Sequence, residues 1–267
     1  MAKSVFITGA GAGIGRATVE RLTAAGWRVG AYDIDLDGLA SLRQEVSAAV
    51  ENGRLVTGHL DVRDAAEWAE RLAEFTERTD GALDVLINNA GVLSSGEFAD
   101  IPLARQDLMV DVNVHGTING CYAAYPHLIK ADGAQVLNLC SASAIYGQAE
   151  LATYSATKFA VRGLTEALDL EWAAKGIRVR ALWPLFVKTA MTEGMDIGTT
   201  RSLGIRLTAD DVAESVLETL TEVPTRFPHG VHRGVGKQAR TMLAASNLAP
   251  SWALRQVNNR LAQRTGH

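Results

Sequence analysis

Short apolar runs alternate with longer stretches of mixed polarity along most of the chain. Apolar runs of this length are typical of strands that are buried on both faces of a parallel sheet. They predict six strands, near 5–8, 28–32, 54–59, 84–88, 135–139 and 177–182. The stretches between them predict amphipathic helices near 14–25, 36–51, 64–79, 105–129 and 153–175.

This alternation of strand and helix indicates an α/β fold in which helices cover both faces of a parallel sheet. No repeat, low-complexity tract or linker divides the sequence, which predicts a single domain over residues 1–267. Beyond residue 183 the alternation loosens, and 183–208 is predicted to be a long loop of the kind that forms substrate lids. Thr208, with Asp211 three residues later, predicts the start of another helix.

Composition narrows the class of protein. Hydrophobic residues make up 47% of the chain and charged residues 21%, which is enough apolar mass for a sizeable core. No apolar run approaches the roughly 20 residues of a membrane-spanning helix, and the segment before the first strand is too short for a signal peptide. Cys121 and Cys140 form no disulfide framework, which favours a reducing compartment, and we expect a cytoplasmic protein.

Charge is distributed unevenly along the chain. The formal net charge is −4, but Glu222 is the last acidic residue, and 223–267 form a basic C-terminal extension. Such an extension can make a peripheral membrane contact with anionic lipid, bind acidic groups of a ligand, or bind an acidic surface of the protein's own oligomer. The acidic balance of the whole chain and its few aromatic residues argue against nucleic acid binding.

A glycine-rich turn follows the first predicted strand. Gly9, Gly13 and Gly15 have the spacing Gly-x-x-x-Gly-x-Gly, and Ile14 lies where the next helix begins. Glycines let the backbone approach a pyrophosphate closely, and the helix N-terminus offers unpaired N–H groups to it. The order of strand, turn and helix therefore predicts a dinucleotide site at these residues, whereas the missing Gly-Lys-Ser/Thr excludes a P-loop.

Asp33 follows the second predicted strand, eighteen residues after Gly15. A carboxylate at this place accepts hydrogen bonds from the adenosine ribose hydroxyls of NAD. The 2′-phosphate of NADP would meet a like charge there, at a cost of about 4 kcal/mol for a separation of ~4 Å in an effective dielectric near ~20. Arg16 is the basic residue nearest in sequence, and we expect NAD to be the cofactor.

Tyr154 and Lys158 are four residues apart in a predicted helix, so their side chains share one face. A free phenol titrates near pH ~10, which is too high for a base at neutral pH. An ammonium group beside it favours the phenolate and lowers its pKa. The pair therefore predicts an acid/base tyrosine, although Tyr-x-x-x-Lys also occurs by chance on solvated helix faces.

Six motifs, in order, resemble those of the single-domain NAD(P)-dependent branch of the short-chain dehydrogenase/reductase family. They cover about residues 4–191 and are Thr8-Gly9-x-x-x-Gly13-x-Gly15, Asp61-Val62, Asn88-Asn89-Ala90-Gly91, Asn113, Ser141 and Tyr154-x-x-x-Lys158. The resemblance implies a Rossmann-like, doubly wound sheet of about seven parallel strands in a three-layer α/β/α sandwich. It also implies NAD(P)-dependent oxidoreduction.

The resemblance implies a role for each matching residue. The residues expected to hold the dinucleotide, beyond the glycine turn and Asp33, are Asp61, Val62, Asn89, Ala90, Gly91, Tyr154, Lys158, Pro184, Val187 and Thr189. The expected catalytic residues are Asn113, Ser141, Tyr154 and Lys158. Structural alternatives stay open for two of them, because Ser141 can cap a strand end and Asn113 can cap or kink its helix.

The sequence departs from the family pattern at two places. Leu185 follows Pro184 where the family usually has glycine. If that position requires a positive φ, leucine costs about 1–2 kcal/mol; alternatively, Leu185 extends an apolar wall over the nicotinamide. Arg180 stands where the family often has asparagine, and the sequence predicts no consequence of that change.

The residues expected around the substrate are mostly apolar, which suits a hydrophobic secondary alcohol or ketone. Core packing beneath a lid is the alternative interpretation of the same set, which is Ser143, Ile145, Tyr146, Gln148, Leu151, Leu185, Phe186, Met191 and Met195. No metal site is expected, because His229 and His232 have no third ligand nearby in the sequence.

Together these residues predict an NAD(H)-dependent oxidoreductase that interconverts a secondary alcohol and a ketone on a hydrophobic small molecule, with Tyr154 as acid/base. The alternatives are an NADPH-dependent carbonyl or 3-ketoacyl reductase, a non-catalytic dinucleotide-binding sensor on the same fold, and a membrane-associated lipid dehydrogenase. The resemblance also implies a homodimer or homotetramer, with the helices near 105–129 and 153–175 at the interface.

Overall fold

A computed structural model describes residues 2–222, 230–246 and 250–262. Its strands are β1 (Ser4–Thr8), β2 (Arg28–Asp33), β3 (Leu55–His59), β4 (Val85–Asn88), β5 (Gln135–Leu139), β6 (Arg178–Trp183), β7 (Val187–Lys188), β8 (Leu207–Thr208) and β9 (His232–Gly234). Seven of them form one parallel sheet in the order β3-β2-β1-β4-β5-β6-β9, and β7 pairs with β8 separately. The order reverses at β1 and β4, which opens a crevice at the carboxyl edge of the sheet.

Helices cover both faces of this sheet. They are α1 (Gly13–Ala24), α2 (Leu36–Glu45), α3 (Ser47–Glu51), α4 (Ala65–Thr76), α5 (Leu103–Val110), α6 (Gly116–Leu128), α7 (Ala152–Trp172), α8 (Gly198–Leu203), α9 (Ala209–Thr221), α10 (Gly236–Ser246) and α11 (Ser251–Leu261). The fold is thus the predicted Rossmann-like α/β sandwich with seven parallel strands.

Two apolar cores lie on opposite faces of the sheet, because successive side chains of a strand point to opposite sides. On one face, Ile7 of β1 belongs to the core that includes Leu22 of α1. On the other face, the Phe6 ring stacks on Tyr32 and Trp68, with centroid distances of 4.3 and 5.5 Å. Residues of one short strand therefore fix helices on both sides of the sheet.

The six predicted strands are confirmed, with ends that agree within one residue. The helix predicted near 36–51 is divided, because Val46 leaves the helical conformation at φ −107° and ψ 37°. The helix predicted near 105–129 contains a π-helical turn, Asp111–His115, between α5 and α6. Thr208 caps α9 as predicted. The last strand, β9, escaped the sequence analysis because three residues carry no readable alternation.

The prediction of an unbroken loop over 183–208 is wrong in detail. This segment contains β7, α8, β8 and a 3-10 turn at Ala190–Thr192. The hydroxyl of Thr192 donates to the carbonyl of Val187 at 2.7 Å and so closes a local turn. Elements this short are held by side-chain hydrogen bonds and not by a hydrophobic period. The role of the segment as a lid stays a prediction.

Arg180 is a buried structural cation in β6. It donates to Glu222 Oε2 at 2.9 Å, to Gln135 Oε1 at 2.7 Å and to the carbonyl of Thr219. Burial lowers the pKa of Arg180, and the Glu222 carboxylate acts in the opposite direction. Arg233 of β9 also pairs with Glu222, at 2.9 Å. Arg233, a basic residue of the C-terminal extension, therefore stabilises the edge of the sheet.

The rest of the basic extension is described in part. Residues 223–229, 247–249 and 263–267 lie outside the described residues. The exposed basic residues within the described portion are Lys237, Arg240, Arg255 and Arg260. No helix of the described portion is long and apolar enough to cross a membrane. Peripheral lipid contact, the cytoplasmic location and a single domain over 1–267 stay predictions.

The C-terminal helix α11 packs directly on α8. A Cβ added to Gly198, the first residue of α8, would stand 2.0 Å from the carbonyl oxygen of Ala262. The hydroxyl of Ser202 donates to the carbonyl of Leu261 at 2.7 Å. The end of α11 therefore fastens α8, which lies in the predicted lid segment.

We expect Gly198→Ala to lower the free energy of unfolding by about 1–3 kcal/mol, because the added methyl group has no room beside the backbone of Ala262. Urea unfolding measures this loss. Gly147→Ala is the matched control, since no described atom lies within 4 Å of a Cβ built there, and it should change stability by no more than about 0.5 kcal/mol. Equal losses in the two variants would contradict the tight α8–α11 contact.

Candidate active site

A cavity of about 460 Å³ opens at the carboxyl edge of the sheet. Most of the site residues predicted from the sequence line it: Gly9, Gly13, Ile14, Asp33, Asp61, Val62, Asn89, Ala90, Gly91, Ser141, Tyr154, Lys158, Pro184, Val187 and Thr189. Of the predicted catalytic and cofactor-binding residues, Gly15 and Asn113 do not line it. The topology brings these residues together because the ends of parallel strands meet at one edge.

Gly15 supports the glycine turn from behind and does not face the cavity. A Cβ at Gly15 would stand 1.9 Å from the carbonyl oxygen of Gly9 and 2.6 Å from Nδ2 of Asn89. No residue with a side chain fits there, so Gly15 allows the close packing of helix and turn. Gly9 and Gly13 have positive φ angles of 65° and 52°, which glycine adopts without strain.

The Asp33 carboxylate is fixed at the wall of the cavity by two backbone groups. Its Oδ2 accepts from the N–H of Gly11 at 2.8 Å, and its Oδ1 accepts from the N–H of Asp35 at 2.9 Å. A carboxylate has about four acceptor sites in all, so both oxygens can still accept from hydroxyl groups. Arg16 forms a salt bridge of 2.5 Å to Glu45 and also donates to the carbonyl of Gly11 at 3.5 Å.

Arg63 is a cavity residue that the sequence analysis missed. Its Nε lies 2.9 Å from Asp61 Oδ1, and its Nη2 lies 2.5 Å from Asp61 Oδ2. This hydrogen-bonded pair holds the pKa of Asp61 below its ordinary value. No family motif includes Arg63. Its position directly after Asp61 and Val62 was the feature of the sequence that could have identified it as a cavity residue. At the same place, the carbonyl of Val62 accepts from Nε1 of Trp68 at 3.0 Å.

The wall between the ends of β1 and β4 is built by hydrogen bonds. Nδ2 of Asn89 donates to the carbonyls of Thr8 and Gly9 at 2.9 and 3.0 Å. The Thr8 hydroxyl accepts from the N–H groups of Asn89 and Ala90 at 3.2 and 3.1 Å. The asparagine motif therefore holds the glycine turn in place from the neighbouring strand.

Tyr154 and Lys158 lie in the first two turns of α7, on the face that meets the end of β5. Nζ of Lys158 lies 5.5 Å from the centroid of the Tyr154 ring and donates to the carbonyl of Leu139 at 2.9 Å. Ser141 follows β5, and its hydroxyl donates to that of Ser143 at 3.1 Å. Ser141, Tyr154 and Lys158 thus reach the same cavity from a strand end and a helix.

The pKa of Tyr154 differs from the expectation drawn from the spacing. Burial raises the pKa of Tyr154, and a hydrogen bond with Ser141 acts in the opposite direction. Burial also lowers the pKa of Lys158, because removal from water disfavours the charged form. The Lys158 ammonium donates to Leu139, so the protein by itself does not lower the tyrosine pKa in the way that the spacing suggested.

Asn113 lies in the π-helical turn between α5 and α6, a type of helix distortion that is frequent at functional sites. Its Oδ1 accepts from the N–H of Val92 at 2.8 Å, and its Nδ2 donates to the carbonyl of Val92 at 2.9 Å. A Cβ built on Gly91 would stand 3.2 Å from Asn113 Oδ1 and 3.9 Å from Lys158 Nζ. Asn113 is therefore brought close to the lysine from behind the cavity wall.

The substrate end of the cavity contains part of the predicted set. The residues that line it are Ser143, Gln148, Leu185, Phe186 and Met191. The remaining four pack in apolar clusters, as the alternative interpretation expected; they are Ile145, Tyr146, Leu151 and Met195. Lining residues that the sequence analysis missed include Val92, Leu93, Leu108 and Val112. These four come from segments without a distinctive motif.

Leu185 causes no backbone strain. The non-glycine residues with positive φ in the described chain are Asp80 and Glu150. Leu185 instead lines the cavity and packs against a cluster to which α10 and α11 contribute Met242, Leu243 and Leu261. The leucine therefore connects the cavity wall to the C-terminal helices.

The described residues contain no group of three or more His, Cys, Asp or Glu side chains placed to hold a metal ion. His229 lies outside the described residues. His232 makes a contact of 2.7 Å from its Nε2 to Oε1 of Glu166, and its ring lies 4.7 Å from that of Trp183. These contacts give His232 a structural role.

Comparison with known proteins identifies the family. The chain matches the family model of the short chain dehydrogenases over residues 3–198. It belongs to the short-chain dehydrogenase/reductase family. The protein is therefore an oxidoreductase of a family that uses NAD(P).

Relatives of this short-chain dehydrogenase share its length and fold. An uncharacterised oxidoreductase of Staphylococcus aureus (strain USA300) is 32% identical over 220 residues, which cover 82% of this chain and 91% of the relative. The structure of 3-ketoacyl-(acyl-carrier-protein) reductase from Brucella melitensis complexed with NADH has 28% identity and a TM-score of 0.77, covering 87% of this chain and 96% of that one. The structure of ElxO with NADP bound has 25% identity and a TM-score of 0.77, covering 88% and 97%.

We expect the two cysteines of this short-chain dehydrogenase to be unreactive while it is folded. Burial raises the pKa of Cys121 to about 12 and that of Cys140 to about 11. Because the thiolate is the nucleophile, both should react slowly with Ellman's reagent near pH ~8 and faster as the pH rises. Denaturant should release both thiols at once. A folded-state thiol that reacts near pH ~8 as fast as free cysteine would contradict this expectation.

Proposed function

We propose that the protein is an NAD(H)-dependent dehydrogenase that interconverts a secondary alcohol and a ketone on a hydrophobic small molecule. The observation that carries the proposal is the meeting of Ser141, Tyr154 and Lys158 in one cavity that also contains Asp33. A dinucleotide sensor needs the Asp33 end of this cavity but not an acid/base pair with a hydroxyl beside it.

The residues around the glycine turn fit a dinucleotide. Gly9 and Gly13 place backbone without side chains at the cavity wall, where the turn enters α1. The fixed Asp33 carboxylate is suited to the adenosine ribose, and Val187 and Thr189 line the nicotinamide end. When bound there, NAD supplies the ring that accepts the hydride.

Tyr154 is proposed to accept the alcohol proton at its phenolate oxygen during oxidation and to return it during reduction. The Ser141 hydroxyl, which donates to Ser143 in the structure, turns to the substrate oxygen and stabilises its developing negative charge. Lys158 is proposed to hold the nicotinamide ribose hydroxyls with the ammonium hydrogens that Leu139 does not use. The positive charge of the oxidised cofactor favours the phenolate against the burial that raises the Tyr154 pKa.

The apolar residues of the cavity have two proposed tasks. Leu185, Phe186 and Met191 exclude water from the reacting atoms, which strengthens the electrostatic interactions of Ser141 and Tyr154. They also favour a substrate with a hydrophobic surface.

The preference for NAD over NADP is proposed from the surroundings of Asp33. The solved relatives do not decide it, since one was determined with NADH and another with NADP. Arg16, the cation nearest in sequence, is engaged by Glu45. Arg63 is engaged by Asp61. A 2′-phosphate beside Asp33 would therefore be repelled by the Asp33 carboxylate. The two nearby cations, Arg16 and Arg63, are each already paired with another carboxylate.

We also propose a homodimer or homotetramer that uses α5, α6 and α7. These helices carry large apolar side chains that are exposed in the single chain, namely Leu103, Ile118, Tyr122, Phe159 and Leu170. Burial of such residues against a second copy would remove apolar surface from water.

We expect Tyr154→Phe to lower kcat by about 10²- to 10⁴-fold, because the change removes the acid/base group. The NAD dissociation constant should change little. The wild-type kcat/KM for oxidation should rise with pH and that for reduction should fall, since oxidation needs the phenolate and reduction needs the phenol. NADH formation from a panel of hydrophobic secondary alcohols measures these effects, with Tyr122→Phe as the control at an exposed tyrosine. Full activity of Tyr154→Phe would remove the proposed base.

We expect Asp33→Ala to lower the ratio of kcat/KM with NAD to kcat/KM with NADP by at least about tenfold, equivalent to ~1.4 kcal/mol, because the repulsion of the 2′-phosphate is lost. Asp37→Asn is the matched control, since it removes a nearby exposed carboxylate that does not line the cavity. A wild-type enzyme that uses NADP in preference to NAD would overturn the assignment of Asp33.

A further inference from the structure

Gln148 is a buried polar residue of the cavity wall that the proposed mechanism does not use. Gln148 lines the cavity, and only 3% of its surface is exposed. Among the described residues, none provides a hydrogen-bond partner for its side-chain oxygen Oε1. A buried polar atom without a hydrogen-bond partner lowers the free energy of unfolding by about 1–3 kcal/mol. An amide without a partner in a cavity wall is therefore destabilising. The side-chain nitrogen Nε2 donates no hydrogen bond to a described residue and, unlike Oε1, is not among the fully buried atoms, so Nε2 is the amide atom that can bind what enters the cavity.

Gln148 is held at a fixed place relative to the catalytic tyrosine. Its N–H donates to the hydroxyl of Ser155 at 3.1 Å, and Ser155 is the residue directly after Tyr154. The preceding residue is also fixed, because the carbonyl of Gly147 accepts from Nδ2 of Asn258 at 2.6 Å. The backbone that carries the Gln148 side chain is therefore held by α7 on one side and by α11 on the other.

Tyr146 is the neighbour that could have satisfied this amide. Burial raises the pKa of Tyr146 to about 12, and the Gln148 amide acts in the opposite direction. The contact falls outside hydrogen-bond geometry, since the Tyr146 hydroxyl and Gln148 Oε1 both lack partners among the described residues. Tyr146 therefore leaves the side-chain oxygen of Gln148 without a hydrogen bond.

The charges around the cavity favour a neutral substrate. Asp33, Asp61 and Arg63 follow β2 and β3, at the opposite end of the sheet order from β5 and β6. Lys158 is the cation among the lining residues near β5, and it is assigned to the cofactor. The remaining large side chains near Gln148 are apolar, and they include Leu93, Leu185, Phe186 and Met191. Among the described residues of this wall, none would offer a free counter-charge to a carboxylate or phosphate on the substrate.

We propose that Gln148 is a substrate-recognition residue. The substrate is a neutral, largely apolar ketone or alcohol with a second hydroxyl or carbonyl group, which binds the Gln148 amide while the reacting oxygen meets Ser141 and Tyr154. The side-chain N–H groups can donate to a hydroxyl or to a carbonyl oxygen, so Gln148 can bind either group. This inference rests on the proposed function and adds the class of substrate to it.

The test measures NADH oxidation with three cyclic ketones matched in size: one plain, one with a hydroxyl group and one with a second carbonyl group. We expect the wild-type kcat/KM to be at least about tenfold higher for one of the bifunctional ketones than for the plain one, equivalent to ~1.4 kcal/mol. Gln148→Leu should lower this ratio by about tenfold, mainly through KM of the bifunctional ketone. Gln44→Leu, at an exposed position on α2, should leave the ratio unchanged.

The possible results distinguish a failure of this inference from a failure of the proposed function. Tyr154-dependent turnover without a preference for a second oxygen would overturn the role of Gln148 and leave the dehydrogenase assignment in place. A Gln148→Leu variant that loses activity equally on all three ketones would show a structural residue or one that binds water, which also overturns the inference. No turnover of any ketone, although NADH binds, would overturn both. Gln148→Met, with an unbranched apolar side chain, replaces the leucine variant if that one does not fold.

Discussion

The hydrogen bond from Lys158 to the carbonyl of Leu139 is the interaction on which the site depends. It connects α7 to the end of β5 and gives a partner to an ammonium group that burial would otherwise penalise. Ser141 lies two residues beyond Leu139, so the same strand end sets the position of the lysine and of the hydroxyl. The helix that carries Tyr154 is thereby aligned with the sheet, and the proposed acid/base chemistry depends on that alignment.

A buried chain of side-chain hydrogen bonds also stabilises the junction between β5 and α7. Nδ2 of Asn88 in β4 donates to Oδ1 of Asn138 in β5, and Nδ2 of Asn138 donates to the hydroxyl of Thr165 in α7, each at 2.9 Å. Asparagine in the middle of a sheet is costly unless it is paired, and here the pairing joins two strands to the catalytic helix.

The sequence predicted the parts of the structure that depend on local or repeated signals. The strands are short apolar runs, and Tyr154 and Lys158 share a helix face by spacing alone. The parts it missed depend on contacts between residues that are distant in the sequence. Arg63 belongs to the site because it lines the cavity, not because it is part of a motif, and α8 is held by the Ser202 hydroxyl and by its contact with Ala262. The raised pKa of Tyr154 depends on burial, which no spacing reveals. Leu185 avoids the strain expected of it because the local path never requires a positive φ.

The contact of α11 with α8 has a consequence for how this enzyme can diverge. The proposed catalytic residues lie between Asn113 and Lys158, whereas α8, which lies in the segment predicted to be a lid, packs against the carbonyl of Ala262, more than one hundred residues later. Substitutions near the end of the chain can therefore reshape what the cavity accepts while the chemistry stays the same. Relatives with identical catalytic motifs can thus differ in substrate through a terminus that those motifs do not include.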